Sequence, residues 1–241
     1  MSGHSSQARS LEVIVDPGHG GSDRGAQRGS FVEAEISLKI SQILQEKINA
    51  DEQLRAQLTR TEDVDVSLQE RVNFANIAKG DFLISVHVNS APDSRAIGAE
   101  FYFQTPSRET LDSYDETTLF TPLKEPNRTL SENSDEKVVN SILNDLRQQH
   151  RFFRSRNLSL ELSEHWLSTK KRRQAVKQAP FYVINRTAMP SVLVEVGFIT
   201  NPTEARRLSK KATQIEIAQQ IYQGILKYKE TIDRDRAALL E

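Results

Sequence analysis

Three short apolar runs constrain this chain most: LEVIV (11–15), FLISVHV (82–88) and VLVEV (192–196). Each is rich in β-branched residues and too short for a core helix, so each reads as a strand, the first of them central in a sheet. Between them the period changes. Apolar residues recur at Ile36, Ile40, Ile43, Leu44 and Ile48, and again at Ile217, Ile221, Ile225 and Tyr228, which is helical spacing. Ser67 and Glu70 form a capping box that opens a helix over 67–79, with Leu68, Val72 and Ala75 as its buried stripe. AEFYFQ (99–104) is a further strand after Gly98. Asn201, Pro202 and Glu204 supply a cap, a first-turn proline and a first-turn acid for one last helix, expected to carry the Ile217–Tyr228 stripe. Strands alternating with helices predict an α/β fold, a mostly parallel sheet with helices on both faces.

Residues 105–178 break this alternation. They are polar, rich in both charges and show no clear strand. Val139, Ile142 and Leu146 give one helical stripe within 138–153, and Leu158, Leu162 and Trp166 suggest a second helix. The stretch reads as a helical insertion. A chain of 241 residues has room for one large domain, over 11–232, that carries it. Residues 1–10 are expected to be linker and 233–241 a C-terminal tail. MSGHSSQARS lacks the apolar core of a signal peptide, so the natural start is expected to lie elsewhere. No run has the apolar length of a membrane span. A net charge of −1 argues against a nucleic-acid binder held by bulk charge. The absence of cysteine excludes disulfides, thiolate zinc sites and a cysteine nucleophile.

Of five histidines, His4 sits in the leader, and His150 and His165 lie on polar helices where solvation is the simple reading. His19 and His87 differ. His19 follows the first strand inside VDPGHGGSDRGA (15–26), and His87 ends the second inside SVHVNS (85–90). In an open parallel sheet, ligands bind beyond the carboxyl ends of the strands, which is where both fall. The bland alternative is a histidine that caps a turn. The glycines suit a phosphate cradle too, but GHGGSDRGA matches neither GxGxxG nor GxxxxGK[ST], and no lysine stands where a P-loop needs one. A metal needs further ligands, and without cysteine they must be histidine or carboxylate. Glu33 and Glu35 precede the helix that starts near Ile36; each reads equally as a first-turn acid. Two histidines and one glutamate with an open fourth position would suit a catalytic zinc, whose bound water becomes acidic. Glu195 stands inside VLVEV, where a lone carboxylate is costly, so it reads as a general base or as the partner of an arginine such as Arg60 or Arg186.

Together, VDPGHGGSDRGA, Glu33, the R-x-x-x-A-N of Arg71–Asn76, SVHVNS and PSVLVEVGFITNPTE (190–204) resemble the zinc-dependent N-acetylmuramoyl-L-alanine amidases of bacterial cell walls. The resemblance runs over 11–104 and 179–229. It implies a twisted mixed sheet with helices on both faces. It implies one Zn²⁺ per chain held by His19, Glu33 and His87, with Glu195 as the catalytic acid–base. Glu33 is preferred to Glu35 because the family's glutamate stands five residues before the first helical leucine, here Leu38. The implied reaction is hydrolysis of the amide between the lactyl group of N-acetylmuramic acid and L-Ala of the stem peptide. The implied setting is the periplasm, with peptidoglycan as substrate.

The insertion resembles that of amidases used in daughter-cell separation in Gram-negative bacteria. There a helix covers the zinc cleft, supplies a Glu to the metal, and is moved by an activator with a LytM-like domain. ILNDLRQQ (142–149) looks like the segment after the blocking helix, which puts the plug within 109–133 and makes Glu125, ahead of Glu116, its candidate ligand. KKRR (170–173) reads as a solvated face or a contact for stem-peptide carboxylates. Two rival functions share parts of this pattern. A zinc carboxypeptidase acting within the stem would use the same ligands, but PGHGG and VEVGFITNP favour the amidase. A non-catalytic wall-binding module would have no use for a buried base.

Overall fold

The computed structural model describes residues 9–105, 134–166 and 174–238. Six strands form one sheet. They are β1 (Leu11–Pro17), β4 (Leu54–Leu58), β5 (Phe82–Asn89), β6 (Ala99–Phe103), β7 (Gln174–Gln178) and β8 (Ser191–Phe198), in the order β4-β1-β5-β8-β6-β7. A small antiparallel pair, β2 (Gln27–Arg28) and β3 (Phe31–Val32), stands apart. The pairings β1–β4, β1–β5, β5–β8 and β6–β7 are parallel, and only β6–β8 is antiparallel. The sheet is therefore mixed and mostly parallel, as expected. Its central strands are nearly continuous buried apolar runs because helices cover both faces.

One face carries the larger core. There α1 (Glu33–Asn49), α3 (Ser134–Glu164) and α6 (Lys211–Ala238) pack Ile40, Leu44, Leu158, Leu162, Ile221 and Ile225 onto the sheet. The other face is covered by α2 (Leu68–Ala78) and α4 (Tyr182–Arg186), with Val72, Ala75, Val183 and Ile184 against Ile14, Leu83 and Leu193. The capping box of α2 forms as read: Ser67 Oγ accepts from Glu70 N–H, and Ser67 N–H donates to Glu70 Oε2 at 2.8 Å. Leu68 departs from the expected stripe. It is 53% exposed, because the first residue of the helix faces the cleft described below rather than the core.

The structure adds one element that the sequence analysis does not name and corrects three other expectations. LRAQL (54–58) is a strand, β4, at the sheet edge with only its alternate residues buried. The two helices expected between 138 and 166 are one continuous helix, α3, of 31 residues. The stretch 105–178 contains a strand after all, since β7 pairs with β6. The single last helix is two, α5 (Pro202–Leu208) and α6, parted at Ser209–Lys210. His150 is exposed, but His165 is only half-exposed and its Nδ1 lies 2.9 Å from the Glu161 carbonyl. Residues 1–8, Glu116, Glu125 and KKRR lie outside the described residues.

Candidate metal centre

The parallel strands β1, β5 and β8 end on the same side of the sheet, and the site is built there. β1 runs into a turn at Pro17-Gly18-His19-Gly20 in which His19 itself has φ of +59°. Two buried arginines hold this turn by its carbonyl oxygens. Arg60 donates to the carbonyls of Pro17, Gly18 and Ala34. Arg71 donates to those of Pro17 and His19, and to Asp16 Oδ1 at 2.8 Å. Asp16, wholly buried, also accepts from Thr59 and Ser85. Burial pushes its carboxyl up, but the charge of Arg71 and these hydrogen bonds outweigh burial and leave it lowered.

This frame brings three predicted side chains together. Ligand atoms of His19, Glu33 and His87 all lie within 4.8 Å of one another. Glu33 Oε1 is 3.2 Å from His19 Nε2 and 3.0 Å from His87 Nδ1. Glu33 opens α1, is buried, and accepts from the backbone N–H of Ala26 and Val88. Burial alone would raise its carboxyl, but the hydrogen bonds from the two imidazoles hold it far below the usual range. The hydrogen bond to Glu33 in turn raises His19 to about 9, with burial opposing. Glu35 points elsewhere, into an ion pair with Arg24. Of the two glutamates, only Glu33, the one preferred from the sequence, lies with the histidines.

Glycine explains how the groups can approach so closely. A Cβ on Gly18 would lie 2.3 Å from His87 Cε1, and one on Gly25 would lie 2.6 Å from His19 Cδ2 and 2.7 Å from Glu33 Oε2. Gly25 also has φ of +64°, in the left-handed region that favours glycine.

Glu195 stands on β8 in register with His87 on β5 and with Glu100 on β6. Its Oε2 is buried without a hydrogen-bond partner, and among the described residues no cation pairs with it. Burial raises its carboxyl to about 7. Arg60, offered as a structural partner, is committed to the turn, and Arg186 lies over the Tyr182 ring. Beside it, Glu100 accepts from Asn89, Tyr102 and Lys177.

A cleft of about 350 Å³ opens onto both imidazoles and is lined also by Asp23, Asp65, Val66, Leu68 and Val183. Two nitrogens and one carboxylate oxygen that converge at the mouth of a cleft fit a divalent zinc with an open position. An unpartnered buried carboxylate oxygen alongside fits a proton acceptor for what binds there. Sequence reasoning overlooked Asp23, which meets His19 Nδ1 at 2.8 Å, and the loop staples in which Asp63 and Asp65 accept from Gly21 and Ser22. The spacing of Asp23, four residues after His19 in the same glycine-rich turn, was the available signal.

Comparison with known proteins agrees with this architecture. A family model for N-acetylmuramoyl-L-alanine amidase (Amidase_3) matches residues 13–227. The amidase AmiA of Salmonella typhimurium is 31% identical over 237 residues, covering 93% of this chain and 78% of that protein. The amidase LytC of Bacillus subtilis is 32% identical over 216 residues, covering 90% of this chain but 35% of LytC, so the chain spans about a third of that relative. The crystal structure of an N-acetylmuramoyl-L-alanine amidase from Clostridium difficile 630 shares the fold, with a TM-score of 0.70 and 23% identity over 92% of this chain and 98% of that one. A match that starts within β1, ends within α6 and takes in the whole sheet between them makes this chain a member of the N-acetylmuramoyl-L-alanine amidase family.

Proposed function

We propose that the chain is a zinc-dependent peptidoglycan hydrolase that cleaves the amide between the lactyl group of N-acetylmuramic acid and L-Ala of the stem peptide. The reading is carried by one observation: the convergent donor atoms of His19, Glu33 and His87 sit beside Glu195, whose buried Oε2 has no partner. His19 Nε2, Glu33 and His87 Nδ1 would hold one zinc per chain. When bound, zinc supplies Lewis acidity to a water and to the scissile carbonyl. Glu195 would take a proton from the water whose oxygen adds to the carbonyl carbon, and deliver it to the nitrogen of L-Ala as the C–N bond breaks. The cleft walled by Val66, Leu68 and Val183 receives the substrate.

In this proposal residues 11–232 are the catalytic domain and the insertion within 105–178 is regulatory, with Glu125 or Glu116 closing the fourth metal position at rest. The protein works as a monomer in the periplasm, in wall remodelling and separation of daughter cells. A partner with a LytM-like domain relieves the block. The outer half of α3 supports such a partner, because Val139, Ile142, Leu143 and Leu146 form an apolar stripe at helical spacing that is 41–56% exposed.

The test is zinc content of the purified chain beside His87→Ala, with muropeptide cleavage followed by mass spectrometry. About one zinc per chain, lost in the variant, with stem peptides freed at L-Ala, is the expected result. Zinc without cleavage, relieved by Glu125→Ala or Glu116→Ala, would locate the block. A chain that binds no zinc sinks the proposal.

A further inference from the structure

The reading of His19, Glu33 and His87 as a metal centre leaves open what turns the His19 ring so that Nε2, and not Nδ1, faces the other two donors. His19 is a left-handed residue in a glycine-rich turn whose side chain is 25% exposed; Gly25 and the His87 ring pack against its Cδ2 side, and that packing alone does not select which nitrogen carries the proton. His87 stands on a central strand, and its Nδ1 already faces Glu33.

We infer that Asp23 is the positioning residue of the centre: it fixes the rotation and the proton of the His19 ring so that Nε2 is presented to the metal. This inference rests on the metal reading proposed above. Asp23 Oδ2 lies 2.8 Å from His19 Nδ1, so the carboxylate accepts the Nδ1 proton, and the nitrogen left to give up its proton to a metal is Nε2, which faces Glu33 Oε1.

The carboxylate is itself held. Its Oδ1 accepts from Gly25 N–H at 3.1 Å. The backbones of Gly20 and Asp23 bond to each other in both directions, at 2.7 and 3.2 Å, which closes the turn around His19. One residue therefore closes the loop and sets the ring. No other carboxylate among the described residues lies within ion-pairing distance of His19 Nδ1.

The test compares wild type, Asp23→Ala and Asp23→Asn by zinc affinity in competition with a chromophoric chelator at fixed pH, and by the ring N–H signals of zinc-loaded protein in ¹⁵N NMR. Asp23 is 67% exposed, so the effect belongs at the low end of the usual range for such partners. We expect Asp23→Ala to bind zinc about tenfold more weakly. It should also lose the exchange-protected Nδ1 proton signal of His19 while the His87 signals persist. Asp23→Asn keeps a carbonyl acceptor for that proton and should recover most of the affinity. Melting of the metal-free variants separates loss of fold from loss of orientation. An Asp23→Ala affinity within threefold of wild type overturns the inference. So does an Asp23→Asn variant as weak as Asp23→Ala, because charge rather than ring orientation would then be at work. If wild type itself binds no zinc, the metal reading fails first, and the chelator titration shows this before any variant is compared.

Discussion

At the scale of single residues, the centre is a balance of burial against hydrogen bonding. Glu195 is raised from 4.5 to about 7 because one of its oxygens is taken out of water and given no partner. A carboxyl whose folded-state value lies above its unfolded one is at ease when protonated, and its ionisation weakens the fold as pH rises through about 7. Glu195→Gln should therefore stabilise the metal-free protein at pH 8.5, by up to about 3 kcal/mol, and do little at pH 4.5. Denaturant melts at the two pH values measure this; a gain equal at both would exclude burial of the charge as its cause. The same substitution should cut turnover by about 10² to 10⁴ while zinc stays bound, as for loss of a general base. His19 carries the opposite sign. Raised to about 9, it holds a proton at neutral pH that a metal must displace. Apparent zinc affinity should then climb by about tenfold per pH unit between pH 7 and 8.5, readable by chelator competition at each pH.

At the scale of elements, the turn after β1 is held from outside by side chains and kept open from inside by glycine. Gly18→Ala would drive a methyl group into the His87 ring, so it should lose zinc binding even where the protein stays folded, as circular dichroism and metal analysis together would tell. Arg71→Met removes the only cation that pairs with buried Asp16 among the described residues. Leaving that carboxylate alone should cost about 3–5 kcal/mol in a chemical melt, and Arg71→Lys should not restore it, because the guanidinium serves Asp16 and two carbonyls at once. The elements legible in the sequence were those whose signal is local. β1, β5 and β8 are apolar runs, and α2 announces itself through Ser67 and Glu70. β4 escaped notice because an edge strand needs only Leu54, Ala56 and Leu58 to be apolar. α3 was read as two helices because its apolar stripe changes purpose midway, facing solvent at Val139–Leu146 and the core at Leu158–Leu162. The candidate ligands were legible because histidines at strand ends are conspicuous. Arg60, Asp23 and Asp65 were not, because what they do depends on which loop comes to lie beside them.

At the scale of the whole molecule, the antiparallel strand β6 joins the parallel part of the sheet to the region read as an insertion. β7 extends the sheet beyond it, and α3 packs across β6 and against α6, where Gly224 comes so close that an added Cβ would lie 2.7 Å from Leu162 Cα. Gly224→Ala should thus destabilise the whole domain and not the insertion alone, seen as a lowered midpoint of a single unfolding transition. Leu162→Ala should do the same, by about 2–5 kcal/mol. Neither should alter zinc stoichiometry in the fraction that stays folded, since neither belongs to the turn, strand or helix that carries His19, His87 or Glu33.

The reach of α3 also sets where this chain can change length. Its inner half and β7 are structural parts of the domain, although the sequence groups them with the polar stretch before them. Deletions after Thr105 that stop short of Val139 leave the core cluster of the described residues whole. A deletion that runs on through Gln178 takes away Leu158, Leu162, Trp166 and β7 together. It would strip β6 of a neighbour and bare a row of unpaired N–H and C=O groups next to uncovered Phe101. Such an edge invites pairing with another chain. A graded set of shortened proteins should accordingly fall into two groups, the shorter cuts remaining dispersed and the longer ones aggregating, with the division set by α3 and not by the charge pattern of the sequence.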